Sequence, residues 1–473
     1  MSTNKKFELA NLLRQFIDPE YVICDVETQR PYECDGLSMY CEQPMLVVLP
    51  KTVDQAQKVI KICHDRKVPV VARGAGTGLC AGAMPNSDGV VLSLAKFTEI
   101  LEIDPLARVA RVQPGVRNIS ITEEAEQYGL YYAPDPSSQI ACTIGGNVAE
   151  NSGGVHCLKY GLTVHNVLKV EMITADGSLV TLGSDGLDSC GFDLLALING
   201  SEGLLGVITE ITVKLLPIPE RAQVTMAAFN DVQSAANAVG AVISAGIIPS
   251  GLEMMDKLVI VAAEDYCHAG YPKDAKALLL CELDGGSEEV SEYCELVGEI
   301  FKRHEATQIR VSQSEEERAL LWKGRKSAFP AVGRISPDYY CMDGTIPRGK
   351  LAHVLTEIES MSEHYGLRVA NVFHAGDGNL HPLILFDANI PGEFEKTEEF
   401  GGKILELCVE VGGCLTGEHG VGIEKLGQMP IQFTDAEIST FLCIKQSFDP
   451  SGILNPGKGI PLLKQCQEYR SVN

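Results

Sequence analysis

No Cys-x-x-Cys pair occurs among the sixteen cysteines of this chain, so neither a zinc ribbon nor a ferredoxin-type iron–sulfur cluster is encoded. Scattered positions such as Cys24, Cys80 and Cys341 read as small buried hydrophobes in a reducing compartment. Basic residues are scarce: 39 Lys and Arg face 63 Asp and Glu, for a formal net charge of -24. Such a chain repels phosphate backbones, and no nucleic-acid partner is expected. Any anionic substrate then needs a local cationic pocket within an acidic surface. No apolar run follows Met1, so the N-terminus reads as the start of a helix and not as a signal peptide. The least charged stretch, 232–252, contains Gln233, Asn237 and Pro249, and is rejected as a transmembrane segment. A cytoplasmic location is expected, with peripheral association at the inner face of the membrane left open. No dinucleotide fingerprint is present either: the register from Gly74 would need glycine where Leu79 stands. Internal repeats and low-complexity tracts are also missing.

What is present is a length of 473 residues, more than one hydrophobic core usually supports. Helical periodicity marks residues 7–17, 52–66 and 435–447, and apolar runs mark strands at 69–72, 90–94 and 107–112. Asp176-Gly177 sits between two strand-like segments and predicts a hairpin. Residues 132–161 carry little periodicity and read as one long ordered binding loop. Pro217-Ile-Pro219 ends a strand and sets the first boundary. The expected organisation is a domain over 1–219, a second α+β domain over 220–420, and a segment over 421–473 that returns to the first.

Two glycine-rich loops stand out in the first domain. Arg73-Gly-Ala-Gly-Thr-Gly78 follows a strand, and such loops present backbone N–H groups to phosphate oxygens. Alone it is matched by an ordinary glycine turn. The second loop, Thr143-Ile-Gly-Gly-Asn-Val-Ala-Glu-Asn-Ser-Gly-Gly154, follows Pro134-Asp-Pro-Ser-Ser138 and adds hydroxyls and an amide. Together they suit the clamping of a pyrophosphate and a flat ring. In the second domain, His374-Ala-Gly-Asp-Gly-Asn-Leu-His381 is followed by Gly417-Glu418-His419-Gly420, which gathers three of the ten histidines beside glycines. Two imidazoles and a carboxylate leave open positions on a divalent ion, which catalysis needs, and His419 is then available as a proton acceptor. The plainer alternative is a polar loop of satisfied surface residues.

These motifs, with Ser201-Glu-Gly203 before a strand and Asn455-Pro-Gly-Lys458 in the tail, resemble the FAD-linked oxidases of the vanillyl-alcohol oxidase type over nearly the whole chain. The resemblance implies an α+β fold: a PCMH-type FAD-binding domain of two subdomains, plus an α+β cap domain with an antiparallel sheet. It implies that Arg73, Gly74, Ala75, Gly76, Thr77 and Gly78 wrap the FAD pyrophosphate. Pro134, Ser138, Thr143, Gly145, Gly146, Asn151, Gly154, Glu202, Gly203 and Ile208 would line the cofactor, and Asn455 and Lys458 would close over its ring. No histidine lies between Arg73 and Gly82, so the FAD is expected to be non-covalent. A divalent metal (zinc, manganese or iron) would sit on His374, His381 and Glu418, with His419 as base. Arg325 would hold a substrate carboxylate, against the alternative of a solvated surface arginine. Asn379 would orient substrate or ligand, against that of a plain turn residue. The implied activity is oxidation of a short D-2-hydroxy acid by hydride transfer to flavin N5, with glycolate the best guess. D-lactate and D-2-hydroxyglutarate are the alternatives, and a non-catalytic scaffold is the rival of another class. Electrons would pass to a non-NAD acceptor, through flavin and iron–sulfur partner subunits.

Overall fold

The computed structural model describes residues 3–186 and 191–462. By internal contacts the chain divides into two units, one within Met1–Gly153, Leu162–Ile218 and Glu418–Asn473, the other within Gly154–Gly161 and Pro219–Gly417.

The first unit contains two main sheets. In the smaller, strands run in the order Val22–Ile23, Leu46–Val48, Val90–Ser93, Val70–Arg73, and the last three are mutually parallel. Parallel strands need crossovers: the helix Val53–Arg66 carries the chain from Leu46–Val48 to Val70–Arg73, and residues 74–89, which include the first glycine loop, carry it to Val90–Ser93 between them. Thr52 caps that helix through Gln55 N–H, and Lys67 ends it in the left-handed region. Its apolar stripe of Ala56, Val59, Ile60 and Cys63 is buried over the sheet core with Leu46, Val70 and Leu92. The larger sheet is antiparallel, in the order Ile100–Asp104, Val109–Val112, Val207–Lys214, Val167–Ile173, Leu179–Gly183. The hairpin at Asp176-Gly177 forms as its sequence predicts, with Gly177 at φ +88°. Residues 453–455 pair with this unit. Val70 N–H donates to Ile453 O at 2.7 Å and Asn455 N–H to Val70 O at 2.8 Å, which extends the small sheet by one parallel bridge.

Residues 132–161 differ from the long loop expected of them. They contain the helices Ile144–Glu150 and Cys157–Tyr160, and the second of these belongs to the other unit. Ile-Gly-Gly-Asn has poor intrinsic helix propensity. The helix forms because its first turn is held from outside: Ile144 N–H donates to Val116 O and Gly145 N–H to Pro114 O, both at 2.9 Å.

The second unit is one seven-stranded antiparallel sheet, in the order Gln308–Val311, Arg221–Phe229, Ala277–Gly285, Gly251–Asp256, Val369–His374, Asn379–Phe386, Asp338–Cys341. Helices Lys257–Cys267 and Glu315–Lys326 lie over the face whose core rows include Leu278, Leu280, Met255, Ala370, Val372, Leu383 and Leu385. The fold is α+β, as its sequence predicts. Among the described residues no helix is long and apolar enough to cross a membrane.

Candidate active site

Side chains alternate between the faces of a strand. The apolar rows of the second unit's sheet therefore continue, at one end, into Glu282, Glu253, His374 and His381, each two residues beyond a core residue on its own strand. Four adjacent strands thus deliver one polar side chain each to the same face. The histidines are not directly opposite. His374 pairs with Asn379, and His381 pairs with Val372, so the imidazoles meet diagonally with ring centroids 5.1 Å apart. Both are nearly buried, at 4% and 3% exposure.

The hydrogen bonds of the two imidazoles favour one tautomer. His374 Nδ1 lies 2.7 Å from a carboxylate oxygen of Glu253, and His381 Nδ1 lies 3.3 Å from the carbonyl oxygen of Met342. Both partners are acceptors, so Nδ1 carries the proton and Nε2 is the basic nitrogen. Oxygen acceptors on Nδ1 are the usual second support of metal-binding histidines. Asp343 is fully buried, with Oδ1 4.0 Å from His381 Nδ1. Its other oxygen accepts from Thr416 Oγ1 at 2.5 Å and from Gly417 N–H at 3.0 Å. Asp343 therefore fixes the chain at the residue before Glu418. Gly417 has to be glycine here, because a Cβ would come within 2.5 Å of the Asn379 side chain. Asn379 Oδ1 is buried without a protein partner, an acceptor poised for a ligand.

Arg325 is no surface residue: it is 1% exposed on the helix Glu315–Lys326. Nε and Nη2 bond one oxygen of Glu253 at 2.8 and 2.6 Å. Burial alone would raise the Glu253 carboxyl, but His374 and Arg325 together hold it below the ordinary carboxylate range. A second buried carboxylate, Glu282, accepts from Arg318 at 2.7 Å, lies 2.9 Å from His156 Nε2 and bonds Trp322 Nε1. Burial is outweighed there too, and the Glu282 carboxyl sits at about 2. His156 is thus a structural partner. Sequence reasoning passed over Glu253 and Glu282; the available signal was an acid inside an otherwise apolar strand.

In the first unit the two glycine loops meet. A Cβ on Gly74 would stand 2.2 Å from Thr143 Oγ1 and 3.8 Å from Gly146 N, so this glycine makes the approach possible. Thr143 Oγ1 is buried without a partner, at the head of the helix Ile144–Glu150. Bare backbone, a free hydroxyl and a helix N-terminus fit a pyrophosphate. Arg73 is turned away from that task. Its guanidinium donates to Cys34 O at 2.8 Å and Pro31 O at 3.3 Å, so it shapes the loop from behind. Ala75, Thr77 and Gly78 continue the loop, and Gly36 N–H donates to Gly78 O at 2.8 Å.

The remaining predicted residues have varied placements. Asn118 Nδ2 donates to Pro134 O at 3.0 Å, and Ser138 O accepts from Cys142 N–H at 2.8 Å. Asn151 ends its helix in the left-handed region and accepts from Val164 N–H at 2.9 Å. Ile208 is buried in its strand and Gly203 has φ +70°. Gly154 falls in the second unit, apart from the rest of its loop. Glu202 clamps the returning segment: its two oxygens accept from Val421 and Gly422 N–H, each at 2.7 Å. That anchors the stretch just after Glu418 and His419, both half-buried, against Cys80, whose carbonyl accepts from Ile423 N–H at 3.0 Å. Asn455 Nδ2 donates to Gly82 O at 3.0 Å and Glu202 O at 2.7 Å, and Lys458 Nζ to Gly82 O at 3.0 Å. Both residues brace the end of the glycine loop. Burial pushes the Lys458 ammonium down to about 8, against the pull of Asp35 and Glu202.

Residues 44–183 match the model of an FAD binding domain, and residues 218–459 match the C-terminal domain of FAD linked oxidases. The chain belongs to the FAD-linked oxidases, and it is an FAD-dependent oxidoreductase of α+β fold. It is similar to the glycolate oxidase subunit GlcD of Escherichia coli K12, 62% identical over 98% of this chain and 92% of that one. GlcD of Bacillus subtilis is 39% identical over 90% and 91%, and a D-lactate dehydrogenase of Anaerostipes hadrus 32% over 93% and 95%. Among solved structures, 4-ethylphenol oxidase from Gulosibacter chungangensis superposes with TM-score 0.82 at 17% identity, covering 98% of this chain and 99% of that one. p-Cresol methylhydroxylase gives 0.82 at 18%, covering 98% of each. These two likenesses concern the fold alone.

Proposed function

We propose that the chain oxidises glycolate to glyoxylate, with FAD as the immediate oxidant and a divalent metal as Lewis acid. The observation that carries this reading is the pair His374 and His381, buried, diagonal on one sheet face, each with Nδ1 held by an oxygen acceptor. The identity to the E. coli glycolate oxidase subunit supports the choice of substrate. The metal would rest on Nε2 of both histidines and on Glu418; zinc, manganese and iron all suit that donor set. When bound, the metal supplies a Lewis acid that lowers the hydroxyl pKa of the substrate, and FAD supplies the hydride acceptor. The other steps belong to this chain. Arg325 holds the substrate carboxylate, and Nη1 carries the donors that Glu253 does not take. His419 accepts the hydroxyl proton as hydride leaves the α-carbon. Asn379, whose Oδ1 is buried without a protein partner, orients the substrate or a ligand. Gly74–Gly78 and Thr143–Gly146 would hold the phosphates, with Arg73 bracing the loop. Flavin and iron–sulfur partner subunits would carry the electrons onward, with peripheral membrane association through them.

Anaerobic mixing of the FAD-loaded protein with glycolate is expected to bleach the flavin band. D-lactate and D-2-hydroxyglutarate should reduce it more slowly. The D-lactate dehydrogenase relative makes faster reduction by D-lactate the informative reversal. A protein that binds FAD but is reduced by none of the three would instead be a scaffold. Because no histidine lies in the first glycine loop, acid precipitation should leave the yellow colour in the supernatant. Colour retained on the polypeptide would overturn the non-covalent assignment.

A further inference from the structure

Glu253 lies in the apolar strand Gly251–Asp256 and is 1% exposed. Taking a carboxylate out of water costs several kcal/mol unless charge and hydrogen bonds compensate it. Here both oxygens are used, and on different partners. One faces His374 Nδ1 at 2.7 Å. The other takes Nε and Nη2 of Arg325 at 2.8 and 2.6 Å. The first contact fixes which nitrogen of His374 is basic. The second fixes the plane of the guanidinium and occupies Nε and Nη2, so Glu253 leaves Nη1 untouched. A carboxylate meant only to anchor the helix Glu315–Lys326 would need the arginine and not the histidine.

We propose that Glu253 is a positioning residue that couples metal binding to recognition of the substrate carboxylate, by orienting His374 with one oxygen and Arg325 with the other. This rests on the roles given above to those two residues. In ordinary enzymes, loss of a support to a metal-binding histidine costs roughly 10–100-fold in metal affinity. A single substitution should therefore injure two properties that independent sites would keep apart.

The test uses FAD-loaded protein stripped with chelator and titrated with Mn²⁺ or Zn²⁺ by equilibrium dialysis. Glu253→Gln keeps shape and volume. It should hold FAD at wild-type stoichiometry, bind the ion roughly 10–100-fold more weakly, and show a raised KM for glycolate even at saturating metal. Glu253→Gln leaves Arg325 as a buried lone cation, so the double variant Glu253→Gln/Arg325→Met guards against misfolding by removing both charges. It should fold and retain the metal deficit, because His374 still lacks its carboxylate. Wild-type metal affinity in either folded variant would make Glu253 a structural ion pair and overturn the proposal. If the unsubstituted protein binds neither ion, the metal reading itself falls, which is a separate result.

Discussion

Replacing His419 by asparagine is expected to lower kcat by roughly two to four orders of magnitude, the usual share of a general base. FAD and metal should remain at wild-type stoichiometry. The reason lies in how the segment is held. Residues 420–425 are anchored by Glu202 on Val421 and Gly422, by Cys80 O on Ile423, and by Lys425 Nζ on Gly420 O at 2.9 Å. None of these bonds uses the imidazole. Gly420 and Gly422 are also fixed by contact: a Cβ would come within 2.4 Å of Glu150 Oε2 at the first and 1.9 Å of Cys80 O at the second. Asparagine can therefore sit on an unmoved backbone, unable to take a proton. Stopped-flow flavin reduction with saturating glycolate measures the step. A variant that reduces its flavin at the wild-type rate would transfer the base role elsewhere, with the buried Asp343 carboxyl, 4.0 Å from His381 Nδ1, one candidate.

The parts legible in the sequence are those written in local chemistry. Thr52 and the stripe that follows it mark a helix correctly, and Asp176-Gly177 marks a hairpin, because a cap and a turn need only a few adjacent residues. The first glycine loop is legible as a loop, and its meeting with the second segment at Gly74 and Thr143 follows from the steric rule that lets glycine approach closely. Other features depend on partners far away in the chain. Ile-Gly-Gly-Asn becomes a helix because Pro114 and Val116 accept its first N–H groups. Arg325 sits on a helix whose charges suggest a wet surface, and only the strand carrying Glu253, 72 residues earlier, shows why it is buried. The strands Gly251–Asp256 and Ala277–Gly285 are nearly continuous apolar runs, so alternation does not reveal which acids face the site. Glu253 and Glu282 become visible only once register aligns them with His374 and the core rows.

Register also sets the expected behaviour of His381→Ala. His381 occupies an interior strand, paired to Val372 on one side and flanked by the strand Asp338–Cys341 on the other. Its backbone is thus held by ladder bonds that alanine retains, and the sheet should survive the change. What is lost is one of two imidazole donors. Metal affinity should then fall by more than the roughly 10–100-fold assigned to an outer support such as Glu253, and glycolate oxidation should fall with it. FAD content should not change, because the Gly74–Thr143 cradle is built from residues of the first unit. The order matters as much as the size: His381→Ala below Glu253→Gln below wild type in metal affinity, with equal flavin in all three. Elemental analysis beside the flavin absorbance of the same samples reads both quantities. Undiminished metal in His381→Ala would place the ion on other ligands, and the diagonal pair of imidazoles would then need a different explanation, as a buried hydrogen-bonded core contact.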